Sequence, residues 1–158
     1  MKEKFEEPKE SALTQRMDVG TQGFDDFQAI LFNKSKERTE HQKRRIELLT
    51  IMYQMEDYLS SEDTFEKSAG YFLKAILKSL KIQQKQFAEY IGIKPSNLSK
   101  LINGDRTINY ELALIFGRLF NHNPLLWVEI QAKNEMNHLL QAERKKYSGY
   151  SINDLLKG

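Results

Sequence analysis

The sequence predicts an all-α fold, in which a five-helix domain is preceded by a long helix and a flexible N-terminal arm. Apolar residues recur at the three- and four-residue spacing of helices, and no segment alternates between apolar and polar residues as a half-buried strand does. Gly92 and the pair Asn103-Gly104 separate short helical segments in the middle of the chain. The 158 residues, 40% of them apolar, are sufficient for one domain and an arm.

The first part of the chain has a composition that disfavours packing. Residues 1–33 carry four basic and seven acidic groups, net −3, with few apolar side chains, which predicts a flexible acidic arm. Within the arm, Phe24–Phe32 has the apolar spacing of a short amphipathic helix that needs a partner surface. Residues 34–66 are predicted to form a long helix, from Lys34 to Ser60, and a loop.

Residues 67–146 are predicted to form the five-helix domain. Its first helix places apolar residues on one face from Ala69 to Leu80. The second runs from about Gln83 to Ile91. The third runs from Pro95 to Ile102, because proline suits the first turn of a helix, where no amide donor is needed. Asn103-Gly104 ends the third helix, since both residues tolerate the left-handed conformation of a C-cap.

Two asparagines predict where the last two helices of the domain begin. Asn109 is the expected N-cap of the fourth helix. Asn123-Pro124 is expected to start the fifth helix, which would continue to about Lys146, and residues 147–158 are then a C-terminal tail. The fourth helix is expected to bury Leu112, Ile115 or Phe116, and Leu119.

The positive charge of the chain is concentrated in its middle. The net charge is only +2, but residues 64–108 carry eight basic and three acidic groups, so their net charge is 8 − 3 = +5. A basic segment of this size indicates a polyanionic partner.

Several classes of protein are excluded by the same sequence. It has no cysteine, which rules out disulfides and thiolate metal sites, and no HExxH, P-loop or GxSxG motif. We therefore expect neither an enzyme nor a cofactor or metal. The N-terminus is charged and no apolar run approaches the length of a membrane span, which predicts a cytoplasmic protein that does not contact membranes.

The segment from Gln83 to Arg106, QQKQFAEYIGIKPSNLSKLINGDR, resembles the phage-repressor-like (Cro-type, or XRE) helix-turn-helix family. The following segment, Arg106 to Gln131, is similar to HigA-type antitoxins, in which a Glu-x-Ala-Leu helix leads through an Asn-Pro or Ser-Pro corner into a tryptophan-containing helix. Together the resemblance covers about Ala69 to Asn134. The matching positions of the first segment are Gln84, Phe87-Ala88, Gly92-Ile93, Pro95-Ser96, Leu98-Ser99 and Asn103-Gly104.

The resemblance implies a role in DNA binding for particular residues, since the third helix of this family enters the major groove and the second crosses the backbone. Lys94 stands where a capping serine or threonine is usual, and Lys85-Gln86 replaces a common acidic pair; both departures favour a polyanion. The expected phosphate contacts are Gln84, Lys85, Asn103, Arg106 and Thr107. The expected base-edge contacts are Lys94, Ser96, Asn97 and Lys100.

The tryptophan helix is apolar on several faces and needs more than one neighbour. Leu126, Trp127 and Ile130 are therefore expected to be core or dimer anchors. A homodimer is expected because one helix-turn-helix covers a single half-site of a palindromic operator in double-stranded DNA.

Three functional hypotheses follow. The favoured one is a sequence-specific transcriptional regulator that is the antitoxin of a HigBA-like pair, represses its own operon and also binds a RelE-like (HigB-like) toxin. The alternatives are a solo XRE-family repressor without a toxin, and an adaptor whose helix-turn-helix binds protein.

Overall fold

The computed structural model describes residues 22–62 and 65–158, and within them it contains eight helices and no strand. The all-α prediction is therefore confirmed. Predictions for residues 1–21 lie outside the described residues. The helices are α1 Gln22–Ser60, α2 Ala69–Ser79, α3 Gln84–Ile91, α4 Pro95–Ile102, α5 Tyr110–Phe120, α6 Leu125–Ala142, α7 Arg144–Ser148 and α8 Ile152–Lys157.

Two helix boundaries differ from the sequence-based expectation. The segment Phe24–Phe32 is not a separate short helix but part of α1, since no glycine or proline interrupts the chain before Ser60. Helix α6 ends at Ala142 rather than near Lys146, because Glu143 leaves the helical region, with φ −130° and ψ 36°.

The chain divides into two compact units between Gln42 and Lys43. In the first unit, every side chain that the structure describes is exposed, including the apolar side chains of Phe27, Ile30 and Leu31. The second unit contains the buried core, to which the last turns of α1 contribute Ile51, Met55 and Tyr58, and α2 to α6 contribute the rest.

An aromatic cluster forms the centre of the second unit. Trp127 and Phe116 are completely buried and meet edge to face, with ring centroids 5.2 Å apart. Phe87 of α3 stacks on Phe120 of α5 at 6.0 Å. The expectation that Leu119 is buried is wrong: Leu119 is exposed and Phe120 takes its place, because the buried stripe of α5 runs through Ala113, Phe116 and Phe120. Leu126 and Ile130 are buried beside Trp127, so all three predicted anchors belong to the core of the chain itself.

Helices α2 and α4 approach each other closely at Gly70. A Cβ added to Gly70 would lie 2.0 Å from the carbonyl oxygen of Leu101 and 2.6 Å from that of Ile102. Only a residue without a side chain allows α2 to pack here. This contact sets the position of the C-terminal end of α4.

The end of α1 is tied to α6 by polar contacts. The Lys133 ammonium donates to the carbonyl oxygens of Tyr58 and Ser61 and lies 4.3 Å from the centre of the Tyr58 ring. The Tyr58 hydroxyl donates to Asn134, whose side-chain amide donates to the Lys67 carbonyl at 2.9 Å. The buried amide of Asn134 is thus satisfied on both sides, as buried polar groups require.

Candidate nucleic-acid interface

Helices α3 and α4 are joined by a tight turn whose geometry depends on Gly92. Its φ is +77°, in the left-handed region that glycine adopts without strain. The Ile93 amide then donates back to the Ala88 carbonyl at 3.0 Å and closes the end of α3. Leu98 and Ala88 are completely buried under this corner, so the two helices are held by a shared apolar core.

Helix α4 and the residue before it present polar side chains to solvent. Lys94 precedes the helix as its N-cap residue, Pro95 occupies the first turn, and Ser96 and Lys100 are exposed, while Asn97 is half-buried. The Lys94 side chain makes no capping hydrogen bond, since an ammonium has no acceptor for the free amides of the first turn. Three predicted base-edge residues are therefore exposed for a major groove, and Asn97 is less accessible.

The N-terminus of α3 has free backbone donors beside two exposed side chains. The N-cap residue Gln83 makes no side-chain hydrogen bond, and the first backbone bond of the helix is from Phe87 to Gln83. The amides of the first turn, next to the exposed Gln84 and Lys85, lie at the positive end of the helix dipole. Such a helix end is a favourable place for a phosphate.

The segment after α4 is held by one side chain from α6. Gln131 accepts a hydrogen bond from the Ile108 amide at 2.6 Å and donates to the Ile108 carbonyl at 2.9 Å. Ile108 is buried, and Asn103, Arg106 and Thr107 just before it are exposed. The Gln131 amide thus fixes the far end of the loop that carries three predicted phosphate contacts. Sequence reasoning missed this role, because nothing local links residues 23 positions apart.

Arg106 is free of competing carboxylates among the described residues, where no acidic group lies within salt-bridge distance of it. The nearby Glu66 is paired instead with His138, 2.7 Å away, and this hydrogen bond raises the pKa of His138. Arg106 and Glu66 both line a groove beside Ser68. The guanidinium of Arg106 therefore remains available to a phosphate.

The described residues show neither of two features that would suggest another kind of site. They contain no cluster of three or more metal-ligating His, Asp or Glu side chains. None of their helices is long and apolar enough to cross a membrane.

Two short helices, a glycine corner and a buried common core define a helix-turn-helix unit. Residues 73–128 match the protein family described as Helix-turn-helix (HTH_3), and this part of the chain is an XRE-type helix-turn-helix DNA-binding domain. The family is typically non-enzymatic. No curated protein sequence matches the chain significantly.

Solved structures from three bacteria are similar to part of this chain. An addiction module antidote protein of the HigA family from Coxiella burnetii is 24% identical, with a TM-score of 0.50, over 54% of this chain and 96% of that one. A hypothetical protein from E. coli is 18% identical, with a TM-score of 0.51, over 60% of this chain and 100% of the other. A putative antidote protein of a plasmid maintenance system from Nostoc punctiforme is 29% identical, with a TM-score of 0.47, over 52% and 90% of the two chains.

Proposed function

We propose that the protein is a sequence-specific transcriptional regulator and the antitoxin of a HigBA-like toxin-antitoxin pair. The observation that carries the DNA-binding part is the exposure of Lys94, just before α4, and of Ser96 and Lys100 on α4. Helix α4 is the recognition helix of the helix-turn-helix, the one that enters the major groove, where lysine donates to guanine and serine bonds to either kind of base.

Phosphate contacts on both sides would fix the register of α4 in the groove. Gln84, Lys85 and the free amides of α3 are proposed to hold one phosphate group, and Asn103, Arg106 and Thr107 another. These contacts give affinity without sequence preference, whereas the contacts from α4 select the sequence.

A homodimer is proposed to read a palindromic operator. Since Leu126, Trp127 and Ile130 are buried in the core of one chain, the dimer contact is assigned to the second half of α6 instead. There Met136, Leu139 and Leu140 are exposed. A run of exposed apolar residues of this kind is typical of an interaction surface.

The antitoxin part of the proposal rests on the segment Arg106–Gln131 and on the first unit of the chain. The likeness to the Coxiella burnetii antidote protein establishes the fold, and it covers only about half of this chain. The first unit lies N-terminal to the domain and exposes Phe27, Ile30, Leu31 and Phe32 next to Asp25 and Asp26. An acidic and apolar helix surface is suited to a basic RelE-like nuclease, since complementary charge steers and orients such partners.

The DNA-binding proposal is tested with the promoter region of the gene for this chain. The wild-type protein is expected to give a salt-dependent, sequence-specific gel shift. Lys100→Ala should weaken binding by about 1–3 kcal/mol and relax the preference at one base position, because it removes a donor to a base edge. Gln84→Ala should weaken binding to all sequences alike.

Lys145→Ala, which removes another exposed lysine, is the control and should leave the base preference unchanged. An unchanged base preference in the Lys100 variant would remove Lys100 from direct readout. The lack of any specific shift by the wild-type protein would exclude both regulator hypotheses and leave the adaptor.

The toxin partner is tested by co-expression with the product of the adjacent gene. We expect co-elution with a small basic protein, and its loss in the variant Ile30→Asp/Leu31→Asp, which places charge on the exposed apolar surface of the first unit. The variant should still shift the promoter DNA, because its helix-turn-helix is unchanged. If no adjacent product co-elutes while the DNA shift persists, the chain is a solo repressor.

A further inference from the structure

Helix α2 and the residues on either side of it carry a row of lysines, of which only the last, Lys85, belongs to the DNA contact described above. Between Glu66 and Glu89 the sequence has five lysines and no carboxylate. We refer to these five lysines as the lysine stripe: Lys67, Lys74, Lys78, Lys81 and Lys85. Together with Tyr71 they recur at intervals of three and four residues.

The lysine stripe faces solvent on one side of α2. Tyr71, Lys74 and Lys78 occupy the same helix face and are exposed, as are Lys81 and Lys85 beyond the helix. The Lys67 ammonium lies 5.9 Å from the centre of the Tyr71 ring. Within the described residues, none of the stripe lysines has a carboxylate at salt-bridge distance, so the positive charge of the stripe is uncompensated.

Contacts on both edges of α2 fix the direction in which the stripe points. Gly70 packs on the C-terminal end of α4, and Phe72 packs on Tyr58 of α1, with ring centroids 6.0 Å apart. Lys74 lies four residues after Gly70 and therefore next to it on the helix surface. The stripe thus adjoins the edge of α2 that packs on α4, rather than the edge that packs on α1.

The two ends of the stripe meet the two groups of proposed phosphate contacts. At its start, Lys67 is followed by Ser68, and the phosphate contact Asn103 is followed by Gly104. Ser68 lies beside Gly104, since a Cβ added to Gly104 would be 3.6 Å from the Ser68 Cβ. At its end, Lys81 and Lys85 flank the start of α3 and Gln84. Helix α2, which lies between these ends, has 11 residues and is about 16 Å long, a length equal to the rise of about five base pairs.

We propose that the lysine stripe binds backbone phosphates of the DNA flanking the base pairs that α4 contacts. The inference rests on the proposed DNA-binding function and extends its footprint along the duplex. Lysine ammonium groups contact phosphates as point charges and release condensed counterions, so the stripe would add affinity and salt dependence but no base preference.

The experiment measures how DNA affinity depends on salt for wild-type protein and for the variant Lys74→Gln/Lys78→Gln, with a duplex from the promoter of the chain. Each lost phosphate contact reduces the slope of log K against log salt by about 0.9, so two lost contacts should reduce it by about 1.8. The loss of affinity between about 50 and 200 mM salt should then be roughly twelvefold smaller for the variant. Base preference should not change.

The control variant Lys145→Gln/Lys157→Gln removes the same charge from exposed positions of the C-terminal segment and should keep the wild-type slope. Circular dichroism should be identical for all three proteins, because every substituted side chain is exposed.

An unchanged slope in the stripe variant, or an equal reduction in the control, would overturn the inference while the proposed function stands. Tighter DNA binding by the stripe variant would also overturn it and would indicate that the stripe binds an acidic protein segment. If the wild-type protein gives no specific binding, the proposed function fails, and the inference fails with it.

Discussion

The helix pair α3–α4 and the C-terminal segment 135–158 both contain apolar residues at helical spacing, but they bury them very differently. In α3–α4, Phe87, Leu98 and Leu101 are buried, and mostly polar groups remain outside. In the C-terminal segment every residue is exposed, including Leu139 and Leu155.

The apolar residues of α3–α4 are thus buried within the chain itself, whereas those of the C-terminal segment would be buried only by another molecule. The pair α3–α4 finds its apolar neighbours in α2 and α5 of the same chain, so its position is fixed before any ligand binds. The C-terminal segment has no buried residue with which to anchor itself, and apolar surface of this kind is typical of an interface. The predictions below test the two regions against each other.

The largest effect is expected at the contact that supports α4. Gly70→Ala should lower the free energy of unfolding by about 3 kcal/mol or more, because the new Cβ meets backbone oxygens that cannot move aside. Gly149→Ala in the C-terminal segment is the matched control: its Cβ would lie 3.4 Å from the nearest atom, the Lys146 oxygen, and its cost should be small. Urea unfolding of both variants measures the difference, and equal losses would contradict the close approach at Gly70.

A smaller loss is expected when the support of the loop after α4 is removed. Gln131→Ala leaves both polar groups of the buried Ile108 backbone without their partner, which should cost about 2 kcal/mol. DNA affinity should fall as well, without a change in base preference. The control is Gln141→Ala, an exposed glutamine near the end of the same helix, whose unfolding should match that of the wild-type protein. A Gln131 variant of wild-type stability would show that the two hydrogen bonds contribute little.

The DNA-binding helices were predictable from the sequence because their signals are local. Gly92 and Pro95 mark the turn within a few residues, and the bounds of α4 agree with the prediction. The hydrogen bonds of Gln131 to Ile108 were not predictable, since they depend on packing between distant segments. The end of α6 at Ala142 was not predictable either, because no glycine or proline stands there. The roles of the individual DNA contacts remain predictions.

A gain in stability is expected at the end of α2, where the chain turns toward α3. Lys81 adopts φ +56°, a left-handed conformation that costs energy for a residue with a side chain. Lys81→Gly should therefore raise the free energy of unfolding by about 1 kcal/mol, whereas Lys78→Gly, within the last turn of α2, should lower it by a similar amount. Thermal unfolding would distinguish the two, and a loss of stability in both variants would show that the Lys81 backbone is not strained.

The smallest effect on stability is expected in the C-terminal segment, where substitutions should instead disrupt the proposed homodimer. Leu139→Ser/Leu140→Ser should change the free energy of unfolding of the monomer by no more than about 0.5 kcal/mol, because both side chains are exposed. Ile130→Ser, on the buried side of the same helix, should cost several times more. If the proposed dimer forms through the second half of α6, light scattering at micromolar concentration should show the Leu139/Leu140 variant as a monomer and the wild-type protein as a dimer. A dimeric variant would place the interface elsewhere on the chain, and a strongly destabilised monomeric variant would mean that these leucines pack within their own chain.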